Sequence, residues 1–300
     1  VKVGVVGYGS IGQRHTANAL SLGHQVFVYD PATRRDVRFE RNIYETCDAV
    51  VIATPTWVHI AGIRACAERG RHMLVEKPIA RDMRTLREML DFAASKNLVV
   101  MVGNNLRFHP CVARAKFWID EGHIGKTLWA SFNCSTKSMK VPYLGDGVIL
   151  NTGAHEVDLA LHLLGPAKAV VATARGGEYG DLIADFVIEH RNGCRSTFHL
   201  DFVTETEIRC FRIIGEEGDL YCDLPARYLC KRQPDAKLPH VSHIDNFHGP
   251  GSYDVDYLNE MTSFIDRIEG KNWLPAGATG EEGFATLDLL VEVRKMAGLE

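Results

Sequence analysis

At 300 residues the chain is longer than a single hydrophobic core usually organises, so two domains are the first expectation. The composition, 46% hydrophobic and 24% charged, is ordinary for a soluble globular enzyme. A net charge of -4, with basic residues scattered apart from short pairs such as Arg34-Arg35, offers no field to nucleic acid or to an anionic membrane.

Eight cysteines run from Cys47 to Cys230 without a C-x-x-C pair. That spacing disfavours zinc ribbons and thioredoxin-type motifs, and reduced thiols in a cytoplasm are the simplest reading. No apolar stretch approaches the ~20 residues that span a bilayer, and the first residues read as a strand, not a signal peptide.

Residues 3–12 run V-G-V-V-G-Y-G-S-I-G, an apolar strand flowing into glycines spaced G-x-G-x-x-G. Gly7 allows the sharp turn, Gly9 removes a side chain that would hold a pyrophosphate away, and Gly12 lets the next helix lie close to the strand. The N-terminus of that helix, expected over 11–22 and stopped at Gly23, offers N–H groups and a positive dipole end to an anion. A second strand, Q-V-F-V-Y, ends at Asp30, roughly 20 residues beyond the motif. A carboxylate there would accept hydrogen bonds from ribose hydroxyls and repel a 2′-phosphate, favouring NAD. Arg34 and Arg35, just behind it, could reverse the preference towards NADP or simply be a solvated turn.

Residues 49–53 read as a buried parallel strand broken by Thr54-Pro55-Thr56, followed by a helix over 58–69 stopped at Gly70. Residues 72–75 read as a strand running into Glu76-Lys77-Pro78. Asp82 caps a helix carrying Met83, Leu86, Leu90 and Ala93, and 98–102 is one more strand. Strands alternating with helices at this spacing specify a doubly wound parallel sheet, whose ligands sit beyond the strand carboxyl ends. Gly9, Asp30, Thr54, Glu76-Lys77 and Asn104 should therefore converge on one crevice. Lys77 is either a group that holds a reacting hydroxyl or a salt-bridge partner of Glu76. The Lys77-Pro78 bond is open to either isomer.

Residues 103–110 read as the exit from a first domain over 1–106 into a second over 107–300. Arg107 either anchors a substrate oxygen or pins the interdomain hinge, and His109 before proline reads as structural. A helix over 112–121 and a strand over 127–135 follow. Residues 148–165 then look like a nearly all-apolar helix in which Asn151, His155, Asp158 and His162 recur at steps of four, three and four, sharing one face. Such a stripe on a buried helix meets either an internal hydrogen-bond ladder or a ligand cavity. A metal on His155 and Asp158 lacks further ligands, so none is expected.

With these three stretches in hand, the chain resembles the glucose-fructose oxidoreductase and inositol dehydrogenase family (Gfo/Idh/MocA) over nearly its whole length. The resemblance implies a Rossmann domain followed by an α/β domain with an open, largely antiparallel sheet, and oxidation or reduction of a carbinol carbon on a sugar, cyclitol or derivative. It implies that the family lysine falls on Lys77 and the acid-base histidine on His155. The catalytic set is then Lys77, His155 and Asn151, and the substrate set Asn104, Arg107, Asn151 and His155. For the cofactor, the glycine loop gives Gly7, Gly9, Ser10, Ile11 and Gly12, and the second strand gives Asp30. The third strand and its helix give Thr54, Pro55, Thr56 and His59, and the fourth gives Glu76 and Lys77. One departure stands out: the family aspartate four residues before the histidine is Asn151 here, and an amide cannot raise histidine basicity. Relay duty would then pass to Lys77 or Asp158, or the position would only orient a substrate hydroxyl, or the chain would be a silent, dinucleotide-dependent sensor.

From 167 onward the pattern becomes a run of strands, over 169–174, 182–189, 194–203, 206–214 and 219–224, which predicts a meander. One face should pack on the 151–164 helix and the other stay open, inviting a homodimer or homotetramer. Residues 234–253 read as a loop whose His240, His243 and His248 are either substrate contacts or surface groups. Amphipathic helices over 257–267 and 281–297 close the chain.

Overall fold

The computed structural model describes residues 1–31, 42–136, 146–177, 180–234, 239–243, 254–271 and 275–299. The chain divides into two compact units, Val1–Phe108 with Gly251–Ala285, and His109–Pro250 with Thr286–Glu300. The first break falls two residues from the expected one. The larger difference is that residues 251–285 return to the first unit, so the second is not a continuous 107–300.

In chain order the first unit holds β1 (Lys2–Val6), α1 (Ser10–Ser21), β2 (Gln25–Tyr29), α2 (Ile43–Thr46), β3 (Ala49–Ile52), α3 (Thr56–Arg69), β4 (His72–Glu76), α4 (Met83–Ser95) and β5 (Val100–Gly103). A 3-10 turn, Asn105–Phe108, follows. The second unit contributes α5 (Pro110–Asp120), β6 (Thr127–Ser135), α6 (Gly147–Asn151) and α7 (Gly153–Leu164). It continues with β7 (Ala167–Gly177), β8 (Gly180–His190), β9 (Arg195–Asp201), β10 (Ile208–Gly215), β11 (Gly218–Asp223), β12 (Tyr228–Arg232) and β13 (His240–His243). The chain ends with α8 (Asp254–Ile268), β14 (Ala278–Thr279) and α9 (Gly280–Met296).

The first sheet has the order β14-β5-β4-β3-β1-β2, all parallel except β14, which runs against β5. Every residue of β3 is fully buried, as expected of a strand covered on both faces. The strand order reverses between β1 and β3, the place where a doubly wound sheet opens a crevice at its carboxyl edge. Asp82 caps α4 as its position suggested, accepting the Thr85 N–H at 3.1 Å.

The second sheet has the order β13-β12-β11-β10-β6-β9-β8-β7. The meander expectation fails at one point: β6 inserts between β9 and β10, parallel to β9 and antiparallel to β10. Stacking explains the insertion. Phe132 of β6 lies 5.1 Å from Phe198 of β9 and 5.8 Å from Phe211 of β10, and Phe198 stacks on Phe186 of β8 at 4.4 Å. Local spacing cannot register that long-range aromatic row. α6 packs on β8 and β9, and α7 on β6 and α5. On the face opposite the buried phenylalanines, Trp129, Val187, Thr197 and Ile214 are only half-buried.

The stretch expected to be one loop over 234–253 also contains β13, paired antiparallel with β12. His240 on that strand is exposed and stands edge-on to Trp118, ring centroids 5.3 Å apart. His248, like Arg34 and Arg35, lies outside the described residues. Among those described, all eight cysteines are free thiols, and no helix is long and apolar enough to cross a membrane.

Candidate active site

The glycine loop of the first unit performs three separate tasks. Gly7 has φ +93°, and a Cβ there would sit 2.5 Å from the Ala53 carbonyl oxygen, so both the turn and the neighbouring strand require glycine. At Gly12 a Cβ would collide with the Gly7 carbonyl, so α1 could not approach β1. Gly9 is different: a Cβ there meets nothing within 4 Å. Nothing inside the described chain needs that position empty. A ligand drawn against the backbone would.

Around this opening the donors and acceptors suit a dinucleotide. α1 starts from Gly9 with no side-chain cap and no acid in its first turn, leaving its N–H groups to an anion. Ser10 is exposed and Ile11 half-buried at that start. Asp30, at the end of β2, accepts the Tyr8 N–H at 2.7 Å, which fixes its carboxylate beside the loop. Across the switch point, Thr54 Oγ1 is buried without a hydrogen-bond partner among the described residues, as is Asn104 Oδ1 beyond β5. Orphaned polar atoms of this kind usually mark where a ligand completes the bonding.

Pro55 is exposed and Thr56 buried at the start of α3. His59, expected at the cofactor, is 1% exposed and instead lies between two loops. Its Nε2 is 2.8 Å from the Thr54 carbonyl oxygen and its Nδ1 3.0 Å from that of Pro78. Burial pushes this imidazole below its usual value, against the pull of the two carbonyls. It braces the turns that follow β3 and β4, and in the second of these the Lys77-Pro78 bond is cis.

From Met73 to Ala80 the chain is buried at every position except Lys77, which is half-buried at the end of β4. Glu76, 9% exposed, is turned inward, its Oε1 2.8 Å from Nε2 of buried His15. Arg107 does not project as a free anchor. Its side chain is 3% exposed and its Nη1 lies 2.8 Å from Glu282 Oε1. Burial alone would raise the Glu282 carboxyl, but Arg107 and Thr279 hold it below the ordinary value. Thr279 and Glu282 in turn form a reciprocal capping box at the start of α9.

In the second unit the expected polar-striped helix is two helices joined through Thr152, which keeps αR geometry. Within residues 146–160, only Gly147, Asn151 and His155 are not buried. The two polar side chains are four residues apart, on either side of the Thr152 joint. Asp158, 1% exposed, belongs to the buried part of the stripe, and His162 is half-buried beyond it. Behind α6, Asp181 Oδ2 accepts the Ile149 N–H at 2.7 Å while its Oδ1 meets Arg294 at 3.1 Å. Gly147, at φ +57°, leaves room for that carboxylate.

Sequence reasoning missed His15, Asp181 and Glu282. The capping-box spacing of Thr279 and Glu282 was legible; the partners of His15 and Asp181 are set by the fold alone.

Residues 1–104 match the model of the oxidoreductase family with an NAD-binding Rossmann fold, and residues 112–221 match that of the GFO/IDH/MocA C-terminal domain. Inositol 2-dehydrogenase of Rhizobium meliloti is 34% identical over 271 residues, covering 81% of this chain and 77% of that protein. Levoglucosan dehydrogenase of Pseudarthrobacter phenanthrenivorans is 37% identical over 134 residues, 41% of this chain and 34% of that protein. The solved levoglucosan dehydrogenase in complex with NADH and L-sorbose superposes with a TM-score of 0.87 at 22% identity, covering 99% and 96% of the two chains, a likeness of fold.

Proposed function

Since the chain belongs to the Gfo/Idh/MocA oxidoreductase family, we propose that it moves a hydride between NAD and a secondary alcohol or ketone of a sugar, cyclitol or sugar derivative. The observation that carries this reading is the pattern of exposure within each unit. Lys77 is the one residue not buried in 73–80, and Asn151 and His155 are the only side chains beyond glycine not buried in 146–160.

NAD, when bound, supplies the hydride acceptor at nicotinamide C4. The residues that would hold it are the loop Gly7, Gly9, Ser10, Ile11 and Gly12 for the pyrophosphate, Asp30 for the adenosine ribose, and Thr54, Pro55 and Thr56 beyond β3. His59 supports those turns from inside. The Lys77 ammonium would hydrogen-bond the reacting oxygen and ease its deprotonation, and His155 would take that proton. Asn151 and Asn104 would orient neighbouring hydroxyls by donating or accepting through their amides. We leave Arg107 out of the substrate set because its guanidinium is committed to Glu282.

We also propose that the half-buried face of the second sheet joins two or four copies, its mixture of Trp129, Val187, Thr197 and Ile214 with polar neighbours being suited to self-association. Light scattering that finds only monomer at micromolar concentration overturns this. A reducing, cytoplasmic setting accords with eight free cysteines.

Stopped-flow absorbance at the reduced-nicotinamide band, run with NAD against a panel of sugars and cyclitols, tests the activity. Formation of NADH with at least one is expected. Tight NAD binding with no transfer to any of them would leave a dinucleotide-dependent regulator in its place.

A further inference from the structure

His15 follows the glycine loop by three residues, is fully buried on α1, and has no part in the chemistry assigned above. Its Nε2 lies 2.8 Å from Glu76 Oε1. Glu76 ends β4, and its other oxygen accepts the backbone N–H of Lys77 at 3.3 Å. That carboxylate lies over Gly103 of β5, where any Cβ would come within 3.0 Å of Glu76 Cδ, so the glycine leaves it the space. From α8, Glu260 is fully buried and brings a carboxylate oxygen within 4.8 Å of the ligand atoms of both groups, while the Tyr257 ring stands edge-on to the imidazole with centroids 5.9 Å apart.

With Glu76 as the acceptor of this 2.8 Å contact, the hydrogen sits on His15 Nε2. In a buried setting such a bond is worth more than in water, and losing the donor would take a partner from the buried Glu76 oxygen. We infer that His15 is a positioning residue for Lys77. Its Nε2–H fixes the Glu76 carboxylate, and that carboxylate fixes the backbone of the lysine. One imidazole therefore sets both the helix that begins at the dinucleotide loop and the strand end that presents the amine. The inference rests on the role given to Lys77 above.

The test compares His15→Leu, which removes the donor, with His15→Asn, which keeps one. At saturating NAD and with the best alcohol of the panel, His15→Leu should lower the hydride-transfer rate by about 10- to 100-fold, since a displacement near 1 Å is that costly. NAD affinity should stay within about threefold, and His15→Asn should recover most of the rate. A His15→Leu rate above half the wild type, or a His15→Asn variant as slow as His15→Leu, overturns the inference.

Side-chain nitrogen NMR of the wild-type protein without cofactor supplies a second reading that needs no activity and no folded variant at position 15. It should show His15 carrying a proton on Nε2, with a resonance that moves in Glu76→Gln. A bare Nε2, or a stoichiometric metal ion bound there in place of the proton, overturns the inference. If the wild type transfers hydride to no alcohol, the proposed activity fails while the NMR experiment still decides the His15 bond.

Discussion

The backbone N–H of Tyr8 donates to Asp30 Oδ2 at 2.7 Å, joining the tip of the glycine loop to the end of β2. The carboxylate shapes the loop, and in the proposed function it would also meet the ribose. Asp30→Ala should weaken NAD binding by about 10- to 100-fold, the cost of a charge-assisted pair of bonds, and narrow any preference over NADP. Calorimetric titration with both dinucleotides measures this. Unchanged NAD affinity would remove Asp30 from the cofactor set.

Arg107 and Glu282 make the opposite case, a charged pair placed by fold and not by substrate. Glu282→Gln should destabilise the protein by about 1–3 kcal/mol in urea unfolding, because a buried guanidinium loses its charged acceptor. Substrate KM should remain within about twofold of wild type. A large rise in KM with unchanged stability would restore Arg107 as an anchor.

His59 gives a pH dependence whose sign can be worked out. Burial holds its folded pKa below the ordinary 6.5, so the unfolded chain takes up the proton more readily. The stabilisation is complete above the unfolded value and is lost as pH falls below it. Wild type should therefore lose stability between about pH 7 and pH 5.5, by at most about 1.4 kcal/mol per unit from this group, and His59→Asn should lose less. Parallel urea midpoints across that range for the two proteins would contradict the assignment.

Asn151 stands four residues before His155, and both are half-buried. A carboxylate in its place favours the imidazolium and raises the basicity of His155. For alcohol oxidation the histidine must be unprotonated, so Asn151→Asp should shift the acid limb of kcat/KM to higher pH by about one unit. A limb that stays where it was would mean that the two side chains act separately.

What was legible in the sequence follows from how local each signal is. The glycine spacing, the strand ending at Asp30 and the Asp82 cap are contained within a few residues, and the structure has each of them where expected. The inserted β6 was not legible, because its aromatic partners Phe198 and Phe211 lie far along the chain. The same limit hid the inward turn of Glu76 towards His15 and the commitment of Arg107 to Glu282, whose partners are 61 and 175 residues away. His59 shows the intermediate case. Its place near the third strand was readable, but its burial between two carbonyls was not.

Direct hydride transfer, dependent on Lys77 and His155, is tested by an isotope label. With the best alcohol of the panel deuterated at its carbinol carbon, mass spectrometry of the nucleotide after one turnover should find the label on the reduced nicotinamide, with a slowed transfer step. Lys77→Ala and His155→Ala should bind NAD and leave the nucleotide unlabelled on the same timescale. Reduced nicotinamide without the label, or full labelling in both variants, would contradict it.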